Sequence, residues 1–342
     1  MTNEIPESPQ RGGEFVLAGH DLHLDYHRML LDDVNRMDAY ERAIRALVKP
    51  GDVVLDLGAG SGILSMLAAK RGARVHAVES TQIAGLARQL VEANGLSDRV
   101  TVHHADLREM AVIEPVDLIV SDFMGRFLVD DGMMSAMRAA VRWLRPGGRV
   151  CPAKVTLYLA PIGPIHFRAH DVFEEPFYGL DLSVATRYAL NTNYHAQVGP
   201  QLLLAPAQLY YVLDPIADVL VNLHFDEGSL SYPAPCATLN FDFEHPDVVR
   251  GVVGWFNADL ADGVELSTAP GVETHWGQYL FPLPTTQVER GDRLEFKLAF
   301  VTDPQSGDPN WTWRGAFRRG EEIVRRFSLE SDQRLGQREV QP

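Results

Sequence analysis

Five residues in a row, Gly58-Ala59-Gly60-Ser61-Gly62, link the apolar run VVLDLG at 53–58 to a helical pattern at 62–71. Glycines at alternate positions let a chain turn sharply and let a ligand approach its backbone, where the following helix presents free N–H groups. Asp56 stands just before the turn. Glu79 ends the next strand-like run, at the distance where an acid can grip ribose hydroxyls. The spacing is GxGxG, not the GxGxxG of dinucleotide sites, in which a helix N-terminus meets a pyrophosphate. S-Adenosylmethionine has no phosphate but does have a sulfonium and an amino-acid carboxylate, so acidic neighbours such as Asp56 suit it better. The plain alternative is a strand-to-helix turn that needs small residues, against which Glu79 argues.

Such groups need a scaffold that brings strand ends together. VVLDLG is apolar throughout, as expected of a parallel strand buried on both faces. Further strands read at 74–79, 100–106 and 116–122, with helical patterns at 62–71, 82–93 and 134–144 between and after them. This βαβ alternation predicts a doubly wound, Rossmann-like parallel sheet with ligands at the carboxyl ends of its strands. Upstream, residues 22–48 read as helical, with an apolar stripe of Leu30, Val34 and Met37 and another face carrying Asp33, Arg36 and Tyr40. Pro146-Gly147-Gly148 closes the pattern. After Pro152 the runs VTLYLAPI, QLYYVLDP, DVLVNLHF, CATLNFDF, VVRGVVGWFNADL and RLEFKLAFV are separated by turn residues, which predicts an antiparallel barrel or sandwich.

At this level of detail the chain resembles the protein arginine methyltransferase family. His27-x2-Leu30-Leu31-x-Asp33-x2-Arg36-x3-Tyr40 looks like its helix that covers the cofactor, and VVLDLGAGSGILSMLAAKRGA is close to its first motif. SDFMGRFLVDD at 121–131 resembles its hairpin with two glutamates, and GWFNADL followed by Thr274-His275-Trp276 resembles its barrel strand and THW loop. The resemblance implies that Arg36 meets the cofactor carboxylate and that Gly58, Gly60 and Gly62 lie under it with Asp56. It further implies Glu79 on the ribose, Asp106 and Leu107 near the adenine, and Asp122, Asp131 and His275 as catalytic residues. It assigns residues 172–198 to a dimerisation arm and so implies a homodimer. The domains then run as a tail at 1–14, helices and cofactor domain at 15–151, a β-barrel substrate domain at 152–330, and a tail at 331–342.

Chemically, two carboxylates can clamp a planar, permanently charged guanidinium and aim one nitrogen at a methyl group. Here both acids are Asp, which draws each carboxylate back by roughly 1.5 Å. Phe123 and Arg126 replace an expected Trp and Tyr, and Arg108 stands where an acid is usual. The acceptor is therefore a guanidino or amino nitrogen on a protein or an arginine-like small molecule. A natural-product N- or O-methyltransferase and a silent cofactor-binding scaffold remain the alternatives. Residue by residue, Asp122 could be a turn cap, Asp131 a solvated neighbour of Asp130, Arg36 a surface partner of Asp33, and His275 a packed barrel residue.

Bulk properties narrow the partners. The 342 residues carry a net charge of −15, which disfavours nucleic acid and favours a cationic substrate. The basic run Arg314 to Arg326 is interleaved with Glu321 and Glu322 and reads as a solvated surface. Cys151 and Cys236 stand far apart, which suits a reducing cytoplasm, and no apolar run reaches membrane-spanning length. The polar start, without an apolar core segment, reads as a frayed tail and not a signal peptide. His20, His23 and His27 share a helical spacing, but no accompanying acid or thiol makes them a metal site.

Overall fold

The structure is a computed structural model that describes residues 24–122, 124, 125, 127, 133–163, 176–213, 238–302 and 309–331. The N-terminal segment forms two helices, α1 (Leu24–Asp32) and α2 (Val34–Leu47), and not one. Asp33 makes the break: its carboxylate accepts the Arg36 backbone N–H at 3.0 Å and caps α2. An Asp side chain competes well for such N–H groups, so it starts helices more readily than it continues them. The break splits the expected stripe and leaves Val34 65% exposed. The face that α2 buries is Arg36, Ala39, Tyr40, Ala43 and Ile44, at helical spacing.

Strands β1 (Val53–Leu57), β2 (Arg74–Glu79), β3 (Val100–His104), β4 (Val116–Ser121) and β5 (Leu144–Cys151) build a parallel sheet. Its order is β3-β2-β1-β4-β5. Helices α3 (Ile63–Lys70), α4 (Ala84–Ala93) and α5 (Met133–Val141) make the crossovers. The winding reverses between β1 and β4, where Leu57 lies beside Ser121, and such a switch point opens a crevice at the carboxyl ends. Pro146-Gly147-Gly148 do not end the pattern; they lie inside β5. The β4–β5 register shifts between Val116 and Leu118, an irregularity of the kind that tolerates Pro and Gly.

The chain then turns antiparallel through β6 (Lys154–Ile162), α6 (Val184–Leu190), β7 (Tyr194–Ala196), β8 (Gln208–Leu213), β9 (Thr238–Asp242), β10 (Asp247–Ala261) and β11 (Val264–Ser267). It ends with β12 (Gln278–Val288), β13 (Asp292–Thr302), β14 (Pro309–Arg319) and β15 (Glu322–Glu330). One sheet runs β7-β12-β10-β6-β8 with β11 beside β10, and a second runs β15-β14-β13-β9. Trp311, Trp313, Phe256, Phe281, Phe296 and Phe317 fill the space between them. The expected strand DVLVNLHF lies outside the described residues.

Phe127, on the loop after β4, reaches from the parallel sheet into this aromatic core. Its ring centroid lies 5.5 Å from Tyr279, 5.9 Å from Phe281 and 5.4 Å from Trp311. Gly254 on β10 makes room, because a Cβ there would stand 2.6 Å from Phe127 Cζ. The plug thus ties the loop that carries Asp122 to the barrel. Replacing Phe127 with Ala is expected to cost about 3–5 kcal/mol of stability in urea unfolding. A loss under about 1 kcal/mol would show that the ring is not an anchor.

Candidate functional site

The glycine turn is held open by its backbone. Gly58, Gly60 and Gly62 have φ of 71°, 54° and 78°, a left-handed region that favours glycine. Gly58 and Ala59 donate to the Val78 carbonyl at 3.0 Å, which fastens the turn to β2. Glu79 is 8% exposed and accepts the N–H of Gly60 at 2.9 Å and that of Thr81 at 2.8 Å. A Cβ on Gly60 would meet His27 Cε1 at 3.0 Å, so the ring of α1 lies directly over the turn. His27 thus joins the site, although in the sequence it stood only as a motif letter.

Asp56 is 2% exposed under the same turn and accepts the Ser65 hydroxyl at 2.6 Å. Burial pushes its carboxyl up to about 7. The Ser65 bond pulls the other way, and the charges of Asp122 and Glu79 add to the rise. Asp106 is turned to a local partner. It caps the short turn Leu107–Glu109 and pairs with Arg108, whose hydrogen bond chiefly draws its carboxyl below the usual range. The Leu107 side chain is a core residue, 3% exposed and packed with Val78 and Trp143.

Arg36 is the hub. It is 3% exposed, donates through Nε to Asp122 Oδ2 at 2.9 Å and forms an ion pair with the same oxygen through Nη2. Nη1 donates to the Leu30 carbonyl at 2.9 Å, which ties α1 to α2. Burial alone would lower the guanidinium, but the charge and hydrogen bond of Asp122 outweigh it and its pKa is raised. Tyr40 braces the same corner, its hydroxyl donating to the Ser121 carbonyl at 2.8 Å. The guanidinium of Arg36 therefore does not form a surface pair with Asp33. Arg126, Asp131 and Phe123 lie outside the described residues; the cation paired with Asp122 is Arg36.

Asp33 closes the circuit on the barrel side. One of its oxygens accepts both the backbone N–H of His275 and its Nδ1–H, each at 2.8 Å. The two side chains are 6% and 2% exposed. Burial would raise the Asp33 carboxyl, but the bonds from His275 and Arg36 outweigh it and hold it below its ordinary value. His275 also packs on Trp276, with ring centroids 3.8 Å apart. Asn35 adds a bond to the Glu273 carbonyl at 2.8 Å. Asp33 was legible only as a motif residue; its spacing to Arg36 is that of a helix cap, a signal that could have found it.

The structure so brings together the glycine turn, Glu79, Arg36, Asp122 and His275 at the switch point of a parallel sheet, and adds His27, Asp33 and Tyr40. This combination defines a nucleotide-type methyltransferase domain joined to a barrel. Residues 54–148 match the family model described as a methyltransferase domain. Residues 153–308 match the one described as the arginine methyltransferase oligomerization subdomain. Protein arginine N-methyltransferase PRMT10 of Oryza sativa subsp. japonica is 32% identical over 320 residues, covering 82% of this chain and 82% of that protein. The same-named protein of Arabidopsis thaliana is 32% identical over 311 residues, covering 80% and 79%. The crystal structure of Arabidopsis thaliana protein arginine methyltransferase 10 superposes with a TM-score of 0.76 at 28% identity, covering 90% of this chain and 98% of that one. A Trypanosoma brucei PRMT1 enzyme–prozyme complex shares the fold, with a TM-score of 0.79 at 24% identity over 90% of this chain and 98% of that one. The chain belongs to the protein arginine N-methyltransferase family and is a methyltransferase.

The raised Asp56 carboxyl sets a pH dependence. Its folded pKa of about 7 exceeds the ordinary 3.8 of an exposed aspartate, so its contribution to stability is fully present below about pH 4 and is lost as pH rises towards 7. Asp56→Asn keeps an acceptor for Ser65 but cannot titrate. The stability of wild type relative to this variant is expected to fall across that window by up to about 1.4 kcal/mol per pH unit. Parallel unfolding curves from pH 4 to about 7 check this, and a constant difference would show that Asp56 stays ionised.

Proposed function

We propose that the chain is an S-adenosylmethionine-dependent protein arginine N-methyltransferase whose acceptor is the guanidinium of an arginine side chain. The observation that carries this is the circuit His275–Asp33–Arg36–Asp122, largely shielded from solvent and set beside the glycine turn that His27 covers. The residues fit the cofactor. The turn offers glycine backbone in the left-handed region, Glu79 presents a fixed carboxylate, and Arg36 presents a buried guanidinium. When bound, the cofactor supplies an electrophilic methyl group on a sulfonium.

Each residue then has a task. Gly58, Gly60 and Gly62 would form the floor under the cofactor with Asp56 beneath, Glu79 would hold its ribose, and Arg36 would hold its carboxylate. Asp106 and the backbone at Leu107 lie on the adenine side. His27 closes the turn from above and excludes water. Asp122, with Asp131 as the second acid, grips the acceptor guanidinium and localises its charge, so that one nitrogen keeps its lone pair. In the present arrangement Asp122 is neutralised by Arg36. Arg36 would hold the cofactor carboxylate through its remaining donor capacity while Asp122, kept in place by it, offers its second oxygen to the substrate cation. His275, fixed by Asp33, forms the barrel wall of the slot and takes part in the handling of charge there.

A protein acceptor is favoured by the relatives and by the net charge of −15, which attracts cationic segments and repels nucleic acid. A free arginine-like molecule is the second reading, favoured by the shortened acids. We further assign residues 15–151 to the cofactor domain and 152–330 to the substrate domain, with tails at 1–14 and 331–342. The parallel sheet that ends at Cys151 and the antiparallel one that starts at Lys154 support this division. We assign 172–198 to an arm that forms a homodimer. In its described part Phe177 is 50%, Tyr178 92%, Leu180 64% and Val184 75% exposed, an apolar surface that calls for a partner. No metal is assigned. A cytoplasmic, non-membrane setting is our placement, supported by the buried thiol of Cys151 and by the lack, among the described residues, of a helix long and apolar enough to cross a membrane.

The test is transfer of labelled methyl to an arginine-rich peptide and to free arginine. Asp122→Asn is expected to cut kcat by about a hundredfold or more while cofactor still binds. Unchanged turnover in Asp122→Asn would remove that acid from the mechanism.

A further inference from the structure

The outer face of the sheet β15-β14-β13-β9 carries a basic groove that the methyl-transfer site does not use. Side chains of antiparallel strands alternate between faces, and here Leu294, Phe296, Trp313 and Phe317 point inwards to the core. Their neighbours Arg293, Glu295, Lys297, Arg314 and Arg318 therefore share the outer face. Cross-strand register sets Lys297 opposite Arg314, Arg314 opposite Ser328 and Ala316 opposite Arg326. Thr238 lies beside Lys297 on the other side. Lys297 and Arg314 stand directly opposite, about 5 Å apart, while Arg326 lies diagonally from Arg314, about 7–8 Å away, and two strands from Lys297.

Most charges of this face are already matched. Arg293 bonds Asp242 at 2.6 Å, Arg318 bonds Glu295 at 2.6 Å and Arg319 bonds Asp292 at 2.8 Å. Lys297, Arg314 and Arg326 have no carboxylate partner among the described residues, and Glu295, the acid nearest to them, is held by Arg318. Like charges placed directly opposite across strands repel, and the cost stays unrelieved in a chain with fifteen more acids than bases by formal charge. Glu321 and Glu322 stand at the far end of the hairpin, Glu322 in register with Arg319, and neither faces Lys297, Arg314 or Arg326.

The three cations border an open groove of about 520 Å³ that is lined also by Thr238, Ser328, Gly315, Ala316, Phe327 and Glu295, the last paired with Arg318. Gly315 is required there, because a Cβ would stand 1.8 Å from the Glu295 carbonyl oxygen. Its Cβ position faces the core beside Phe327, and on the outer face the small Ala316 leaves the space that the cations border. A space of this size suits a small ligand and not an extended polymer. Two guanidinium forks, an ammonium and two hydroxyls are donors, and together they match the tetrahedral oxygens of phosphate.

We propose that Lys297, Arg314 and Arg326 form a binding site for a phosphate-bearing small molecule, an inorganic polyphosphate or a nucleotide, on the barrel face outside the methyl-transfer site. Isothermal titration calorimetry of the full-length chain with pyrophosphate and with a nucleoside triphosphate tests it. Both are expected to bind saturably with one site per chain, and more weakly at higher ionic strength. The double variant Lys297→Gln/Arg314→Gln and the single variant Arg326→Gln are expected to weaken binding about tenfold or more per cation removed. Arg293→Gln, which removes a paired cation of the same face, should leave the affinity unchanged. With inorganic tripolyphosphate as the charge-matched control, equal affinity to the nucleoside triphosphate would name the phosphate chain as the ligand, and a tighter nucleoside triphosphate would add the nucleoside. No saturable heat with either, unchanged affinity in the variants, or saturable binding of RNA or an acidic peptide alone would overturn the proposal. Methyl transfer to an arginine peptide should be unchanged in the variants without added phosphate, which keeps this result separate from the reading of the main site.

Discussion

A buried guanidinium paired with a partly buried carboxylate, between α2 and the end of β4, holds this site in shape. Taking either charge out of water alone would cost several kcal/mol, and removing one partner strands the other. The remaining donors of Arg36 are therefore spent on structure: Nη1 on the Leu30 carbonyl draws α1 over the glycine turn and brings His27 onto Gly60. Tyr40 anchors the same helix to the Ser121 carbonyl. Lid, turn and acid thus answer to one side chain.

Asp33 extends that dependence to the barrel. It ends one helix, starts the next and takes both the backbone and the ring proton of His275. Its low proton affinity keeps it charged at neutral pH, so the imidazole is held by a full charge. On the opposite side, Phe127 is locked among Tyr279, Phe281 and Trp311. Two separate ties, one polar and one aromatic, therefore fix the loop of Asp122 between sheet and barrel. Catalysis by alignment needs such rigidity, because small displacements of a clamp cost large factors in rate.

Much of this was legible in the sequence, for reasons that are local. Apolar runs such as VVLDLG can only be buried parallel strands, and the alternate glycines mark a backbone that no side chain tolerates. What escaped lay in tertiary contacts. Arg36 and Asp122 stand 86 residues apart, so nothing nearby revealed that the two assigned residues would meet each other first. The Leu30, Val34, Met37 periodicity hid the cap at Asp33, and Pro146-Gly147-Gly148 hid a strand that tolerates them at a register shift. The charge run at 314–326 was misleading in a different way: only cross-strand register shows which cations are paired and which are left facing one another.

The central claim is that Arg36 and Asp122 act as one energetic unit. A double-mutant cycle in urea unfolding, with Arg36→Gln, Asp122→Asn and both together, measures this without reference to substrate. The account predicts that each single change costs several kcal/mol and that the double variant costs less than their sum by about 2 kcal/mol or more. Additivity within about 0.5 kcal/mol would mean that the two side chains are independent and would contradict it.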